Sequence, residues 1–352
     1  MKRSLSIALL LILGTALPLH GQNEGGSHWE VGHGVSYMMT NNSSYSHYNA
    51  VTYGIDLAWW YRSFGADYWR VHRHYPSFGL KASYVFIPRG VAGDRIGLVG
   101  LLRRPLGRQW DLDIGLGLSA YTRPFSLTGD SLNIFIGSLI NCLIDLSISY
   151  RATEHSMLHL SLLHTSNGML YRPNQGLNYL QVGMAYWLGP IRTAKPARLD
   201  EEPHWSPSEF GVALSLGTVM SRREEQRGYY PCYDLSLHFM HYLSPTFAVG
   251  GTLDFWYNDV DSRQIARTGD IHAFPLYVSA LAGFEAFFGP LSIKAGIGPN
   301  LIASNEVSIP FYERVGAYYN FGDGRHYAGV ALNAHAGRIE FIEWTYGYRL
   351  RE

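Results

Sequence analysis

Alternation of apolar and polar residues with a two-residue period is the feature that most restricts what this chain can fold into. Successive side chains of a β-strand point to opposite faces, so this alternation produces a strand with one apolar and one polar face. The segment from Trp110 to Tyr121 shows the pattern most clearly, and Leu291 to Ile297 repeats it. In the first segment, one face carries Trp110, Leu112, Ile114, Leu116 and Leu118, and the other carries Asp111, Asp113, Gly115, Gly117 and Ser119.

Strand-like segments of this kind follow one another along most of the chain. About eight more strands are predicted between residues 208 and 350. Residues 190–207 interrupt the series, because their four prolines and mixed charges indicate a linker or a long turn. The eight strands predicted in the first half lie near 28–40, 50–63, 77–89, 93–104, 109–122, 132–151, 157–167 and 178–188.

The composition and the first residues favour a membrane barrel over a soluble protein. Lys2 and Arg3 precede an apolar run from Ile7 to Leu13, so residues 1–21 are predicted to be a secretory signal peptide. Only 16% of the residues are charged, whereas 38 are glycine and 25 are tyrosine. These features indicate an outer-membrane β-barrel, with a secreted β-sandwich as the soluble alternative. Acidic and basic residues balance at 28 each, which gives no electrostatic case for nucleic acid.

We therefore expect an all-β protein, an antiparallel transmembrane β-barrel. One closed barrel of about 14–16 strands is the first expectation, since closure leaves no strand edge exposed to lipid. Two consecutive eight-stranded barrels, residues 22–189 and 208–352 joined by 190–207, are the alternative. The second half is interpreted as a degenerate repeat of the first: residues 289–303 resemble 107–121, but no serine in its last hairpin matches Ser166.

One predicted hairpin carries polar residues on its apolar face. His164 and Ser166 share a strand face with Leu158, Leu160 and Leu162, and Asn178 shares a face with Leu180 and Val182 of the next strand. If both chain ends lie in the periplasm, the seventh strand rises to the cell surface. The three polar residues are then expected at the outer rim of the barrel wall, facing a leaflet made of lipopolysaccharide.

This placement suggests nucleophilic chemistry. Residues two apart on a strand project the same way, so an imidazole at 164 can reach a hydroxyl at 166, which is the base and nucleophile pair of acyl transfer. Asn178 is a candidate to orient the imidazole, and Asn167 with Gly168 are candidates for an oxyanion hole. Arg172 and Asn174 are candidate substrate contacts.

No metal or cofactor is expected, because the sequence holds no recognisable metal-binding or phosphate-binding motif. Residues 72–74, with the sequence HRH, fall in a predicted turn. We interpret them as part of a solvated connection rather than as metal ligands.

The motifs of this hairpin resemble those of a known family. HTSNG at 164–168 is followed by PNQG at 173–176 and by a strand of the LNYLQVGMAYW type. This combination resembles the outer-membrane lipid A 3-O-deacylases of the PagL type, also described as acyloxyacyl hydrolases, over roughly residues 28–189. The resemblance implies a metal-free serine esterase on the outer wall of an eight-stranded barrel, which removes an ester-linked acyl chain from lipid A. It implies His164 as the base, Ser166 as the nucleophile, and Asn167 and Gly168 as the oxyanion segment.

The chain departs from that family at one position. The family has a glutamate twelve residues after the serine, and this chain has Asn178. An asparagine can orient a neutral imidazole, as in Cys-His-Asn proteases, but it offers no full charge to the imidazolium. The expected function is therefore a lipid A esterase of the outer membrane. A passive pore, or a catalytically impaired barrel that retains the motif, is the alternative.

Overall fold

The protein is described here by a computed structural model. The predicted signal peptide and most of the predicted linker lie outside the described residues. No helix in the described part of the chain is long and apolar enough to cross a membrane. The structure describes residues 26–40, 43–64, 67–88, 92–125, 133–166, 175–188, 206–220, 229–259, 262, 275–302, 311–322, 324–335 and 338–351.

The first eight strands form one closed antiparallel barrel. Each strand pairs with its neighbours in sequence, and β1 pairs with β8 to close the ring, for example Val35 with Val182. A short α-helix, α1 (Tyr68–His72), lies between β2 and β3, and a 3-10 helix (Ser43–Tyr48) lies between β1 and β2. The strands are β1 (Gly26–Thr40), β2 (Ala50–Arg62), β3 (Ser77–Phe86), β4 (Arg95–Pro105), β5 (Trp110–Tyr121), β6 (Ile140–Arg151), β7 (Ser156–Ser166) and β8 (Leu177–Leu188).

The last eight strands form a second closed barrel, in which β16 pairs with β9. The described residues thus form sixteen strands, but β8 pairs with β1 instead of β9, so the structure has the two eight-stranded barrels and not one sheet of 14–16 strands. The strands are β9 (Ser208–Met220), β10 (Tyr229–Ser244), β11 (Phe247–Asn258), β12 (Leu276–Phe288), β13 (Leu291–Ile302), β14 (Phe311–Phe321), β15 (His326–His335) and β16 (Arg338–Arg351).

Both barrels turn an apolar wall outward. On β7 the outward residues Leu158, Leu160 and Leu162 are 42%, 49% and 53% exposed, while Ser161 and Thr165 of the opposite face are buried in the lumen. Such a wall is stable only against lipid. The connections β4–β5, β6–β7, β10–β11, β12–β13 and β14–β15 are short, and in each barrel they lie at the end where its first strand begins. This arrangement places that end in the periplasm, because outer-membrane barrels have short periplasmic turns.

The lumen of the first barrel is filled by charged side chains that pair with one another. The guanidinium of Arg103 donates to Glu30 at 2.7 Å and to Asp113 at 2.8 Å, and it lies over the ring of Trp60. Lys81 forms a buried ion pair with Asp145 higher in the same lumen. An eight-stranded barrel is just wide enough for its own side chains, and these side chains occupy that space.

The lumen of the second barrel is organised in the same way. Arg314 reaches three carboxylates, Asp234 at 3.1 Å, Asp254 at 3.2 Å and Glu343. Arg349 pairs with Glu209 at 3.1 Å and with a further carboxylate on β12. Both barrels are therefore packed cylinders over their described length, which does not suit a wide aqueous channel.

An apolar cap closes the extracellular end of the first barrel. Phe135 and Ile136, in the segment before β6, are buried, and the rings of Tyr45 and Tyr48 from the 3-10 helix pack on Phe135 at 5.8 and 5.4 Å. The sequence predicted a strand over 132–151, but β6 begins only at Ile140. The prediction missed the turn because the stretch from Ile134 to Ile140 is as apolar as a strand.

The turn that contains α1 contacts the second barrel. Arg73 is only 5% exposed: its Nη2 donates to the Thr246 carbonyl, its Nε donates to the Phe287 carbonyl at 3.3 Å, and its guanidinium lies 5.0 Å from the ring centre of Phe288. Burial lowers the pKa of Arg73 to about 10, which leaves it charged at neutral pH. The prediction that the HRH segment is a solvated connection is therefore wrong for Arg73, which is buried against the second barrel.

This contact also orients the two barrels. It joins the β2–β3 turn of the first barrel to the β10–β11 turn and the end of β12 in the second, all at the periplasmic end. In the ring of eight strands, β3 lies opposite β7. The docking turn is therefore on the far side of the first barrel from the hairpin that carries His164.

Candidate active site

Two neighbouring strands, β7 and β8, bring the predicted catalytic residues together. In the antiparallel register, His164 of β7 is directly opposite Asn178 of β8 and opposite Ile144 of β6. Ser166, the last residue of β7, is opposite Cys142. All of these positions share the outward face with the exposed leucines of β7, as the alternation in the sequence predicted.

The site lies at the extracellular rim of the wall and not on its most exposed part. Ser166 is 5% exposed, and His164 and Asn178 are half-buried. Below them on β7 and β8 come the exposed Leu162 and Leu180. The Ser166 hydroxyl is thus sheltered from water at the edge of a broad apolar wall.

A short hydrogen bond fixes the imidazole of His164. Its Nδ1 lies 2.7 Å from Oδ1 of Asn178. An amide oxygen can only accept, so Nδ1 must carry the proton, and in the neutral ring Nε2 is then the basic nitrogen. This is the tautomer that a general base needs if it is to take a proton from a serine hydroxyl.

Gly176 forms part of the same site, although the sequence pattern did not assign it a role. It has a φ of 67°, a left-handed conformation that favours glycine. A Cβ placed on Gly176 would lie 2.9 Å from the Thr165 carbonyl oxygen, 3.1 Å from Cε1 of His164 and 3.3 Å from Cβ of Ser166. The final glycine of the PNQG motif thus lets the backbone pass directly against the imidazole ring, and its place in that motif was the signal available in the sequence.

Four predicted residues cannot be placed by the structure. Asn167, Gly168, Arg172 and Asn174 lie outside the described residues, so the oxyanion and substrate-contact assignments remain predictions from the sequence. In the described part of the chain, no group of three or more His, Cys, Asp or Glu side chains is arranged to hold a metal ion. Neither Cys142 nor Cys232 forms a disulfide.

The hairpin that corresponds to this site in the second barrel is much shorter. Only residues 336–337 separate β15 from β16, whereas residues 167–176 separate β7 from β8. His335 pairs with Arg338 at the base of that turn. A bulge follows, because Asn333 pairs with Phe341 and Ala334 with Ile339. The backbone frame that holds Asn178 opposite His164 is therefore not repeated there.

Comparison with known proteins covers nearly the whole described chain. Residues 34–187 match the family model described as lipid A 3-O-deacylase (PagL), and residues 208–352 match the model described as the C-terminal domain of acyloxyacyl hydrolase. No curated protein matches the chain.

Solved structures give weaker similarities. The crystal structure of the outer membrane enzyme PagL is 18% identical, with a TM-score of 0.35, over 44% of this chain and 97% of that one. A mutant porin of Rh. blastica is 10% identical, with a TM-score of 0.19, over 93% of this chain and 100% of that one. CdiB from Acinetobacter baumannii is 8% identical, with a TM-score of 0.20, over 92% of this chain and 60% of that one.

The closed antiparallel barrels with outward apolar walls place the protein in the class of bacterial outer-membrane β-barrels. Within that class the two matched segments identify the family. The chain belongs to the PagL family of lipid A 3-O-deacylases, hydrolases that act on an ester. The first barrel carries the deacylase segment, and the second carries the C-terminal segment of acyloxyacyl hydrolases.

Proposed function

We propose that this protein is a serine esterase that removes an ester-linked acyl chain from lipid A in the outer leaflet. The proposed roles are Ser166 as nucleophile, His164 as general base and Asn178 as the residue that orients the imidazole. The observation that carries the proposal is the 2.7 Å contact between Nδ1 of His164 and Oδ1 of Asn178 on the lipid-facing wall. Family membership supports lipid A as the substrate.

The first step of the proposed reaction is acylation. Oγ of Ser166 attacks the ester carbonyl while Nε2 of His164 takes the hydroxyl proton. Nδ1–H stays bonded to Asn178, so the ring keeps its orientation as it becomes positively charged. The tetrahedral intermediate collapses when the sugar oxygen leaves and receives the proton from Nε2. Acyl-Ser166 remains.

Deacylation repeats the sequence with water. His164 takes a proton from a water molecule, the resulting hydroxide attacks the acyl-enzyme, and Ser166 recovers its proton as the fatty acid leaves. Backbone N–H groups of Asn167 and Gly168 are the proposed oxyanion donors. Since each proton taken by Nε2 is returned, the cycle needs no metal and no other co-reactant.

Asn178 makes this variant of the triad electrically neutral. A carboxylate would attract the imidazolium, whereas an amide oxygen offers only a dipole. The contact at Oδ1 keeps the proton on Nδ1 and so preserves the tautomer that a general base needs. We therefore propose an active enzyme that is slower than relatives with a carboxylate at this position.

The filled lumina argue against the alternative of a passive pore. Ion pairs around Arg103 and Arg314 cross the interior of each barrel. An aromatic and aliphatic cap around Phe135 also covers the extracellular end of the first barrel. Solute flux in reconstituted liposomes would reveal a pore; the proposal expects flux no greater than that of protein-free liposomes.

Mass spectrometry of lipid A from cells that express the protein tests the proposal. Wild-type protein should give lipid A that lacks one acyl chain, and Ser166→Ala should reduce the deacylation rate by at least about 10³-fold. Ser161→Ala is a matched control, because Ser161 lies on the inner face of the same strand and bonds to Ser147 at 2.8 Å. Equal lipid A patterns for wild type and Ser166→Ala would refute the proposal.

A further inference from the structure

The backbone wall beside His164 is held in place by a different loop of the barrel. The N–H of Gly176 donates to the Phe135 carbonyl at 3.1 Å. The end of the β7–β8 loop is thus hydrogen-bonded to the segment that precedes β6. Since Gly176 also lies against Cε1 of His164, a displacement of Phe135 would move the surface on which the imidazole rests.

Asn133 holds the carbonyl of Phe135 in position. Its side chain is 0% exposed, and its Oδ1 accepts from the backbone N–H groups of Phe135 at 3.2 Å and Ile136 at 3.1 Å. Its Nδ2 donates to the Arg123 carbonyl at 2.6 Å, on the opposite arm of the same loop. Asparagine makes such turns because its amide can imitate a backbone peptide group.

The aromatic contacts of the cap restrain this turn from the other side. The ring of Phe135 is buried between Tyr45 and Tyr48, which belong to the β1–β2 connection. A side chain of that connection is in turn bonded to β1, because Asn49 Oδ1 accepts from the Thr40 N–H at 3.0 Å. Three extracellular connections therefore meet at Phe135.

We infer that Asn133 is a positioning residue of the esterase, which acts through Phe135 and Gly176 to hold the imidazole of His164 in its productive orientation. The inference rests on the proposed function and names a part of its site that lies outside the His-Ser-Asn set. In the described part of the chain, Asn178 contacts the ring at Nδ1. A Cβ on Gly176 would lie 3.1 Å from the neighbouring Cε1, so the Gly176 backbone limits the space into which the ring could turn.

The expected consequence of losing Asn133 is a defect in turnover and not in binding. Displacing a catalytic group by about 1 Å can cost roughly 10²-fold in rate. Asn133→Ala should lower kcat by about 10- to 100-fold. KM for lipid A should stay within about twofold, because the outward wall that receives the acyl chains is unchanged. Asn133→Asp keeps the oxygen that accepts from both N–H groups, so it should recover most of the lost kcat.

Asn141→Ala is the matched control. Asn141 is also buried near the base of this loop, where its Nδ2 donates to the Ser138 carbonyl at 2.9 Å. Its described hydrogen bonds stay within 138–141 and do not reach Phe135 or Gly176. The variant should lose stability in the same loop while kcat stays within about twofold of wild type.

The experiment measures kcat and KM on lipid A in detergent micelles for full-length wild type, Asn133→Ala, Asn133→Asp, Asn141→Ala and Ser166→Ala. The folded fraction of each is measured from the heat-dependent shift in gel mobility and used to normalise kcat. A fall in kcat for Asn133→Ala alone, reversed in Asn133→Asp, supports positioning.

Two results would overturn this inference. One is an Asn133→Ala variant with wild-type kcat per folded molecule; the other is an equal loss in Asn141→Ala, which would indicate general loosening of the loop. Failure of the proposed function gives a different result, because Ser166→Ala would then match wild type whatever the Asn133 variants do.

Discussion

Replacing Asn178 by aspartate tests how the imidazole of His164 is supported. Aspartate has the same shape as asparagine, so one carboxylate oxygen would occupy the position that Oδ1 now holds, 2.7 Å from Nδ1. A hydrogen bond between neutral groups contributes about 0.5–1.5 kcal/mol, and one to a charged group about 1.5–3 kcal/mol. The difference, about 1–1.5 kcal/mol, applies chiefly when the ring is charged in the transition state.

That difference corresponds to a roughly tenfold rise in kcat, because 1.36 kcal/mol is a factor of ten in rate. Asn178→Ala removes the bond altogether and should lower kcat by about 2- to 12-fold, the range given by 0.5–1.5 kcal/mol. The assay is release of fatty acid from lipid A micelles at saturating substrate. Gln181→Glu is the control, since it adds the same charge to β8 on the inner face of the barrel.

The order of the kcat values of wild type, Asn178→Asp and Asn178→Ala shows whether the contact at Nδ1 supports catalysis. The geometry predicts that Asn178→Asp is fastest, wild type intermediate and Asn178→Ala slowest, with Gln181→Glu close to wild type. If Asn178→Ala equals wild type and Asn178→Asp brings no gain, the contact at Nδ1 plays no part in catalysis, and the assigned role of Asn178 is wrong.

Three further predictions concern other parts of the molecule. Gly176→Ala should lower kcat at least about tenfold, because the backbone there is left-handed and a Cβ would lie 2.9 Å from a backbone oxygen. Unchanged kcat in steady-state kinetics would contradict this prediction. Arg73→Ala should weaken the contact between the barrels. The change in kcat should be less than about threefold, since the docking turn lies on the opposite side of the first barrel from β7. When the chain is cleaved at an engineered protease site in 190–207, chemical cross-linking should join the two halves of the wild-type protein and fail to join those of the variant. Arg103→Met should destabilise the first barrel by about 3–5 kcal/mol, because two buried carboxylates lose their cation. An unchanged midpoint of denaturant unfolding in micelles would contradict this prediction.

Much of the local structure could be predicted from the sequence, because strand periodicity reports directly on which way a side chain points. The alternation placed Leu160, His164 and Asn178 on one outward face, and the structure confirms that face. The hydrogen bond at Nδ1 of His164 follows from the same register. Two-residue periods thus predict faces and neighbours well within a single hairpin.

The closure of the sheet could not be predicted in this way. β8 pairs with β1, about 150 residues earlier, and no local pattern distinguishes β1 from β9 as its partner. The apolar stretch before Ile140 was misassigned for a related reason. Its hydrophobic residues close a barrel end instead of lining a wall, and the turn depends on a single asparagine side chain, Asn133.

Gly176 and Arg73 show a further limit. The role of the glycine depends on His164, twelve residues earlier across a loop, and that of the arginine depends on carbonyls in another barrel. Neither contact leaves a periodic signal. Residues of this kind become visible only when the chain is folded.

The most direct test of the central claim is to identify the residue that becomes covalently modified. Purified protein in micelles would be treated with an alkyl fluorophosphonate, which phosphonylates an activated serine, and its peptides would be mapped by mass spectrometry. The account predicts a single adduct on Ser166 that forms at least about 10²-fold more slowly in His164→Ala. An adduct on another residue, or labelling of Ser166 at the same rate without His164, would contradict it.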